Sequence, residues 1–167
     1  APHNALATEI AYTAGLRAHE LLTLQPRSER TPDPRPALPT KFEGREDGSR
    51  YVVTGKGGLI REVQLPSHLA ARLEAQRLAT PRPVTDRHVY YQQHYAIGGG
   101  QPWSMAVSRA AKAALGWSTG AHGLRHAYAQ ERVTELQTLE HSQKVANETV
   151  SQELGHFRPE ITTTYLR

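Results

Sequence analysis

The chain predicts an α+β fold: mostly helical, with one small antiparallel β-sheet. Three observations carry this. Apolar residues recur at helical spacing near both ends of the sequence; "SMAVSRAAKAALGW" is rich in alanine; and one stretch alone, "SRYVVTGKGGLIREVQLP", has the apolar–polar alternation of a hairpin. A length of 167 residues suits one domain with its own core, and 38% hydrophobic with 22% charged residues is a globular composition.

Taken in order, residues 4–24 place Leu6, Ile10, Tyr12, Leu16, Leu21 and Leu24 near helical spacing, and Gly15 divides them into two helices joined by a tight turn. Arg17 then lies at the start of the second helix, which Pro26 follows. Prolines 26, 32, 34, 36 and 39 make the next stretch a loop, read as a surface insertion. Tyr51 to Thr54 and Leu59 to Leu65 form the hairpin strands, with "GKGG" as the turn and Lys56 at its tip. A helix runs from Ser67, its cap, to about Ala79, and Pro81 and Pro83 end it. Residues 84–102 give mixed signals, among them a short helix around Val89 to Ala96. Helices follow over Ser104–Leu115, from near His122 through "GLRHAYAQERVTELQ", and over Gln143–Leu154, with Gly155 placed to cap the last. No internal repeat is present.

Twenty Lys and Arg against sixteen Asp and Glu leave a net charge of +4, which favours an anionic partner without naming one. The absence of cysteine excludes disulfides, thiol catalysis and thiolate metal sites, and is compatible with a reducing cytosol. No stretch reads as a membrane span or an apolar leader. Ala1 in place of an initiator Met points to a fragment of a longer protein.

The chemistry concentrates in "AHGLRHAYAQERV". His122 and Arg125 are one helical turn apart, so both side chains can meet one ligand. His126 is four residues from His122, which resembles half of a zinc site, but Gly123 stands where a metalloprotease has glutamate. Arginine weighs toward a phosphate instead: its permanent charge repels a metal cation, and its planar fork matches two phosphate oxygens. Arg17 offers a second guanidinium, with Glu20 three residues on to orient it; an ordinary surface ion pair is the plainer reading of those two.

Four segments, "AYTAGLRAHELLTL", "TGKGGLIREVQLP", "HGLRHAYAQ" and "LGHFRPEITTTYLR", together resemble the signature boxes of the tyrosine recombinase (phage integrase) family, in the family's order and over residues 5–167. The resemblance implies that family's catalytic-domain architecture across 1–167, without the N-terminal DNA-binding domain. It implies Tyr165 as the nucleophile that forms a 3′-phosphotyrosyl bond, and Arg17 and Arg125 as ligands of the scissile phosphate. His122 is the implied acid–base group, His156 a second phosphate-binding histidine, Lys56 the proton donor to the leaving 5′-oxygen, and Glu20 the brace of the site. His126 matches a structural position, and Tyr128 reads as core.

The same resemblance implies double-stranded DNA as partner, with no metal and no cofactor, since two guanidiniums supply the positive charge. It further implies a bacterial cytoplasmic setting on nucleoid DNA, a phage or mobile element as source, and a tetramer on DNA in the full-length protein, the fragment itself being a monomer. Two other readings stay open: a catalytically silent DNA-binding module of the same fold, and a zinc hydrolase using His122, His126 and His156.

Overall fold

In the computed structural model, residues 2–35, 37–118 and 120–155 are described. Helix α1, Pro2–Ala14, turns Leu6, Ala7, Ile10, Ala11 and Ala14 inward, the single apolar stripe that a 3.6-residue period allows. It stops at Gly15, where φ is +72° and an added Cβ would lie 2.7 Å from Leu154 Cδ2 and 3.0 Å from the Tyr128 ring. Glycine therefore serves twice at this position: it takes a left-handed backbone, and it admits two helices from the far end of the chain.

The expected second helix is absent. After Gly15 the chain makes a turn containing Arg17, then one short 3₁₀ turn, Glu20–Thr23. The cause is local: the Glu20 carboxylate reaches back to the Arg17 backbone N–H at 2.8 Å, closing a tight loop where a longer helix would have begun.

Strands β1 (Gln25–Pro26), β2 (Gly48–Thr54) and β3 (Ile60–Pro66) form one antiparallel sheet in the order β1-β2-β3. The β2–β3 pairing runs from Gly48 opposite Pro66 to Thr54 opposite Ile60, as the hairpin reading expected, and a 3₁₀ turn over Lys56–Gly58 joins the strands. Tyr51, Val53, Val63 and Leu65 face the main core with α1, Leu69 and Leu73 of α2 (Ser67–Glu74), and Trp103. Ser67 is the first residue of α2 rather than its cap; its hydroxyl donates to Asp47 instead, at 3.3 Å.

Residues 77–95 differ most from expectation. They form a second antiparallel hairpin, β4 (Arg77–Asp86) and β5 (Val89–Tyr95), where the sequence had suggested the end of a helix and a short helix. Pro81 and Pro83 lie exposed in β4, a two-stranded edge where a missing N–H is tolerated, and the register shifts between Arg77 and Arg82. The run "VYYQQHY" supplies the β-branched and aromatic residues of its partner. Glu74 binds the two sheets together, accepting from both Tyr51 Oη and Tyr95 Oη at 2.6 Å.

Helix α3, Gly100–Leu115, starts four residues before the expected Ser104, with Pro102 in its first turn. Helices α4 (His122–Thr138) and α5 (Gln143–Glu153) lie close to their expected bounds, and Ser142 caps α5 by accepting from Val145 N. They share a second core of Tyr128, Ala129, Val133, Leu136, Ala146, Val150 and Leu154.

The proline-rich segment is more than a surface insertion. Its first part is largely exposed, but its continuation docks on α5: Leu38 N donates to Gln152 Oε1 at 2.8 Å, Thr40 and Thr149 hydroxyls meet at 2.6 Å, and Phe42 N donates to Glu153 Oε2 at 2.7 Å. Among the described residues no helix is long and apolar enough to cross a membrane.

Candidate active site

Four of the expected site residues border one open cleft of about 600 Å³: Arg17 from the turn after α1, Lys56 from the β2–β3 turn, and His122 and Arg125 from the first turn of α4. His156 and Tyr165 lie outside the described residues. A smaller adjoining cavity of about 200 Å³ is lined by Arg17, Glu20, Lys56, Arg61 and Gly155, so Gly155, the residue before His156, already borders the site. The chain reaches this wall because Gly155 caps α5 with φ +89°; a Cβ there would lie 2.7 Å from Arg61 Cδ.

Glu20 is fully buried beneath the cleft. Its carboxylate accepts from Arg17 N (2.8 Å), Arg61 Nη2 (2.8 Å), Arg61 Nε (3.3 Å) and Arg17 Nη1 (3.4 Å), and Arg125 Nη1 stands 3.8 Å away. Burial alone would raise its pKa, but the charge and hydrogen bonds of Arg61, with Arg125 and the Arg17 N–H, bring it down to about 2. Glu20 is thus an anion at every working pH, more deeply set than the surface partner of Arg17 that the sequence alone allowed.

The two expected phosphate ligands differ in exposure. Arg17 keeps 24% of its side-chain surface open. Arg125 is fully buried in the cleft floor, where Nη1 donates to Gly15 O at 2.6 Å and Nη2 to Leu154 O at 3.2 Å. It ties the turn carrying Arg17 to the end of α5. Its side chain also lines the cleft.

Lys56 is exposed on the 3₁₀ turn between β2 and β3. His122 is the first residue of α4, on the cleft rim, its ring 5.3 Å from that of His126 in an edge-on arrangement. Partial loss of hydration, with the charges of Arg125, His126 and Arg17, holds the His122 imidazole below its ordinary value, which favours the neutral base at neutral pH. Tyr128 is buried, as expected of a core residue, and donates to Glu153 Oε1 at 2.6 Å. Among the described residues no group of three His, Asp or Glu side chains is gathered to hold a metal.

Two participants went unnoticed in the sequence. Arg61 connects the site to α5: besides gripping Glu20 it donates from Nη1 to Glu153 O at 2.7 Å. The signal was its phase, since Arg61 falls on the same strand face as the buried Val63 and Leu65. His19 also borders the cleft, half-buried, its imidazole held low by burial and by Arg17, Arg125 and Arg61, against the opposing charge of Glu20.

No family model and no curated protein matches this chain. Solved structures do. The chain resembles XerH site-specific recombinase bound to difH substrate in a pre-cleavage complex, with 20% identity and a TM-score of 0.58 over 98% of this chain. It also resembles XerH bound to palindromic difH in a post-cleavage complex, with 18% identity and a TM-score of 0.56, again over 98% of this chain. It spans only 42% and 41% of those two chains. The likeness is one of fold: the α+β architecture expected from the sequence is the one found, and it is shared with these recombinases.

Proposed function

We propose that the chain is the catalytic part of a site-specific DNA recombinase, which breaks and rejoins DNA through a phosphotyrosyl bond to Tyr165. The observation that carries this reading is the convergence of Arg17, Lys56, His122 and Arg125 on one cleft over a buried, arginine-bound Glu20. The fold shared with two DNA-bound XerH structures supports it.

The chemistry follows from these groups. An unassisted phenol has a pKa near ~10, so attack at neutral pH needs a base and nearby positive charge. Neutral His122 accepts the phenolic proton of Tyr165. The phenolate oxygen attacks the scissile phosphorus, the Tyr165 O–P bond forms, and the P–O5′ bond breaks. Lys56 delivers a proton to the departing 5′-oxygen, while Arg17, Arg125 and His156 hold the non-bridging oxygens as negative charge gathers on them. Glu20 and Arg61 are positioning residues: they fix the Arg17 backbone and the end of α5 rather than touch the phosphate. Because the phosphotyrosyl ester retains the energy of the broken bond, a 5′-hydroxyl from another strand can reverse the step and complete an exchange.

The test is adduct formation on a randomised pool of nicked duplexes in the presence of EDTA. Wild-type protein is expected to become covalently linked to DNA, and Tyr165→Phe to bind without linkage. Binding without adduct by the wild type would instead support a silent DNA-binding module, and hydrolysis abolished by EDTA a metal enzyme.

A further inference from the structure

The β4–β5 turn is built from residues poorly suited to it. Pairing ends at Asp86 opposite Val89, leaving Arg87 and His88 as a two-residue turn with φ of +48° and +68°. Consecutive left-handed residues make the kind of turn that normally carries Asn-Gly, because side chains with a Cβ are disfavoured there. Both side chains are exposed, and Arg87 enters no ion pair among the described residues. Beside them Val89 and Tyr90 are 50% and 61% exposed.

This turn is also a wall of the candidate active site. Arg87, Val89 and Tyr91 line the same cleft as Arg17, Lys56, His122 and Arg125. The cleft is therefore bordered by two β-turns, one bearing Lys56 and the other Arg87. Its charged lining is four cations against the single carboxylate of Asp86, which is turned inward to accept from Gln101 N at 2.9 Å. An open, cationic cleft with an exposed arginine and flanking apolar surface suits a polyanion whose charges alternate with less polar sugar. That describes the DNA backbone better than an acidic peptide.

Resting on the recombinase reading above, we propose that the Arg87–His88 turn is a second clamp on the DNA backbone. Arg87 pairs with a phosphate adjoining the scissile one, and Val89 and Tyr91, on the cleft face of β5, pack on the neighbouring deoxyribose. The clamp acts in binding, and no proton or bond changes hands there.

The deciding experiment replaces the turn with its preferred residues, Arg87→Asn with His88→Gly, and measures binding to a mixed-sequence duplex across a salt series. Relaxing the backbone is expected to leave the melting temperature equal or higher. Binding is expected to weaken several-fold near physiological salt, and the slope of log K against log salt to flatten by about 0.9, the loss of one phosphate contact. Arg87→Gln, which keeps the native turn, should flatten the slope equally, and Arg87→Lys should preserve it. Unchanged affinity and slope in both charge-removing variants overturn the clamp, whatever happens to binding of an acidic peptide. The adduct assay keeps the two claims apart: wild-type protein that binds with an Arg87-dependent slope yet never links to DNA sinks strand transfer and leaves the clamp standing. A wild type that links to DNA, with Arg87 variants that bind as tightly, does the reverse.

Discussion

Glu20 and Glu153 form an instructive pair. Each is almost wholly buried, each is gripped by an arginine through more than one hydrogen bond, and each accepts a backbone N–H as well. Their neighbours separate them. Glu20 shares its partners with the cleft, where Arg17 is open to solvent and Arg125 lies in the floor. Glu153 accepts from Arg132 Nε and Nη2, Tyr128 Oη and Phe42 N, none of which borders the cleft. One carboxylate shapes a wall of the candidate site; the other fastens α5 to α4 and to the loop before β2. Arg61 bridges them, holding the Glu20 side chain and the Glu153 carbonyl. The lesson is that a buried charge pair tells of constraint, and only the exposure of its partners tells whether the constraint serves chemistry.

Glu153→Ala tests this most severely. It leaves the Arg132 fork, the Tyr128 hydroxyl and the Phe42 N–H without their shared acceptor, and removing one member of a buried pair typically costs about 3–5 kcal/mol. For a chain of this size that corresponds to a melting temperature lower by roughly 10 °C. A shift of under about 2 °C, read by thermal unfolding, would mean that α5 is held by its apolar face alone.

Glu20→Gln comes next and should act on both stability and chemistry. The folded-state pKa of about 2 lies below the ordinary 4.5, so the unfolded chain binds the proton more readily. The resulting stabilisation, on the order of 3 kcal/mol, is fully present above about pH 4.5 and is lost as the pH falls toward 2. Denaturant unfolding should therefore show wild type and variant well separated at pH 7, drawing together below pH 4.5 and converging only as the pH reaches about 2. At pH 7 the variant's adduct rate should fall about tenfold or more, because a displaced Arg17 cannot meet the phosphate as well. A constant gap across the pH range would show that the Glu20 charge is not what braces the site.

The Glu20 half of this comparison was partly legible in the sequence. The spacing of Arg17 to Glu20 and of His122 to Arg125 put each pair within reach of one another before any coordinates, because one helical turn or a tight loop is short enough for sequence to specify, although a surface ion pair was the plainer reading of the first. The helical periodicity around α4 and α5 was equally clear. What escaped notice depends on chain reversals. Arg61 and Glu153 are distant in sequence and meet only through folding; the sole hint was an arginine in phase with Val63 and Leu65. The β4–β5 hairpin was obscured by Pro81 and Pro83, which normally break regular structure and are accepted here on an exposed edge. Arg17 was assigned to a helix because apolar spacing cannot reveal that the Glu20 carboxylate folds back on the backbone first.

The smallest effect on stability belongs to Lys56, and it sharpens the contrast from the other side. Its side chain is exposed on the 3₁₀ turn and makes no ion pair among the described residues, so Lys56→Ala should change unfolding free energy by less than about 0.5 kcal/mol. Cleavage should nonetheless slow by roughly 10²–10⁴-fold, the usual worth of a positioned general acid. A substrate with sulfur in place of the bridging 5′-oxygen separates this from a binding role. A thiol has a pKa near ~8.5, so it departs as the thiolate without a donated proton, and the variant should then cleave at nearly the wild-type rate. An equal deficit on the oxygen and sulfur substrates would assign Lys56 to holding DNA, since loss of a phosphate contact weakens both reactions alike.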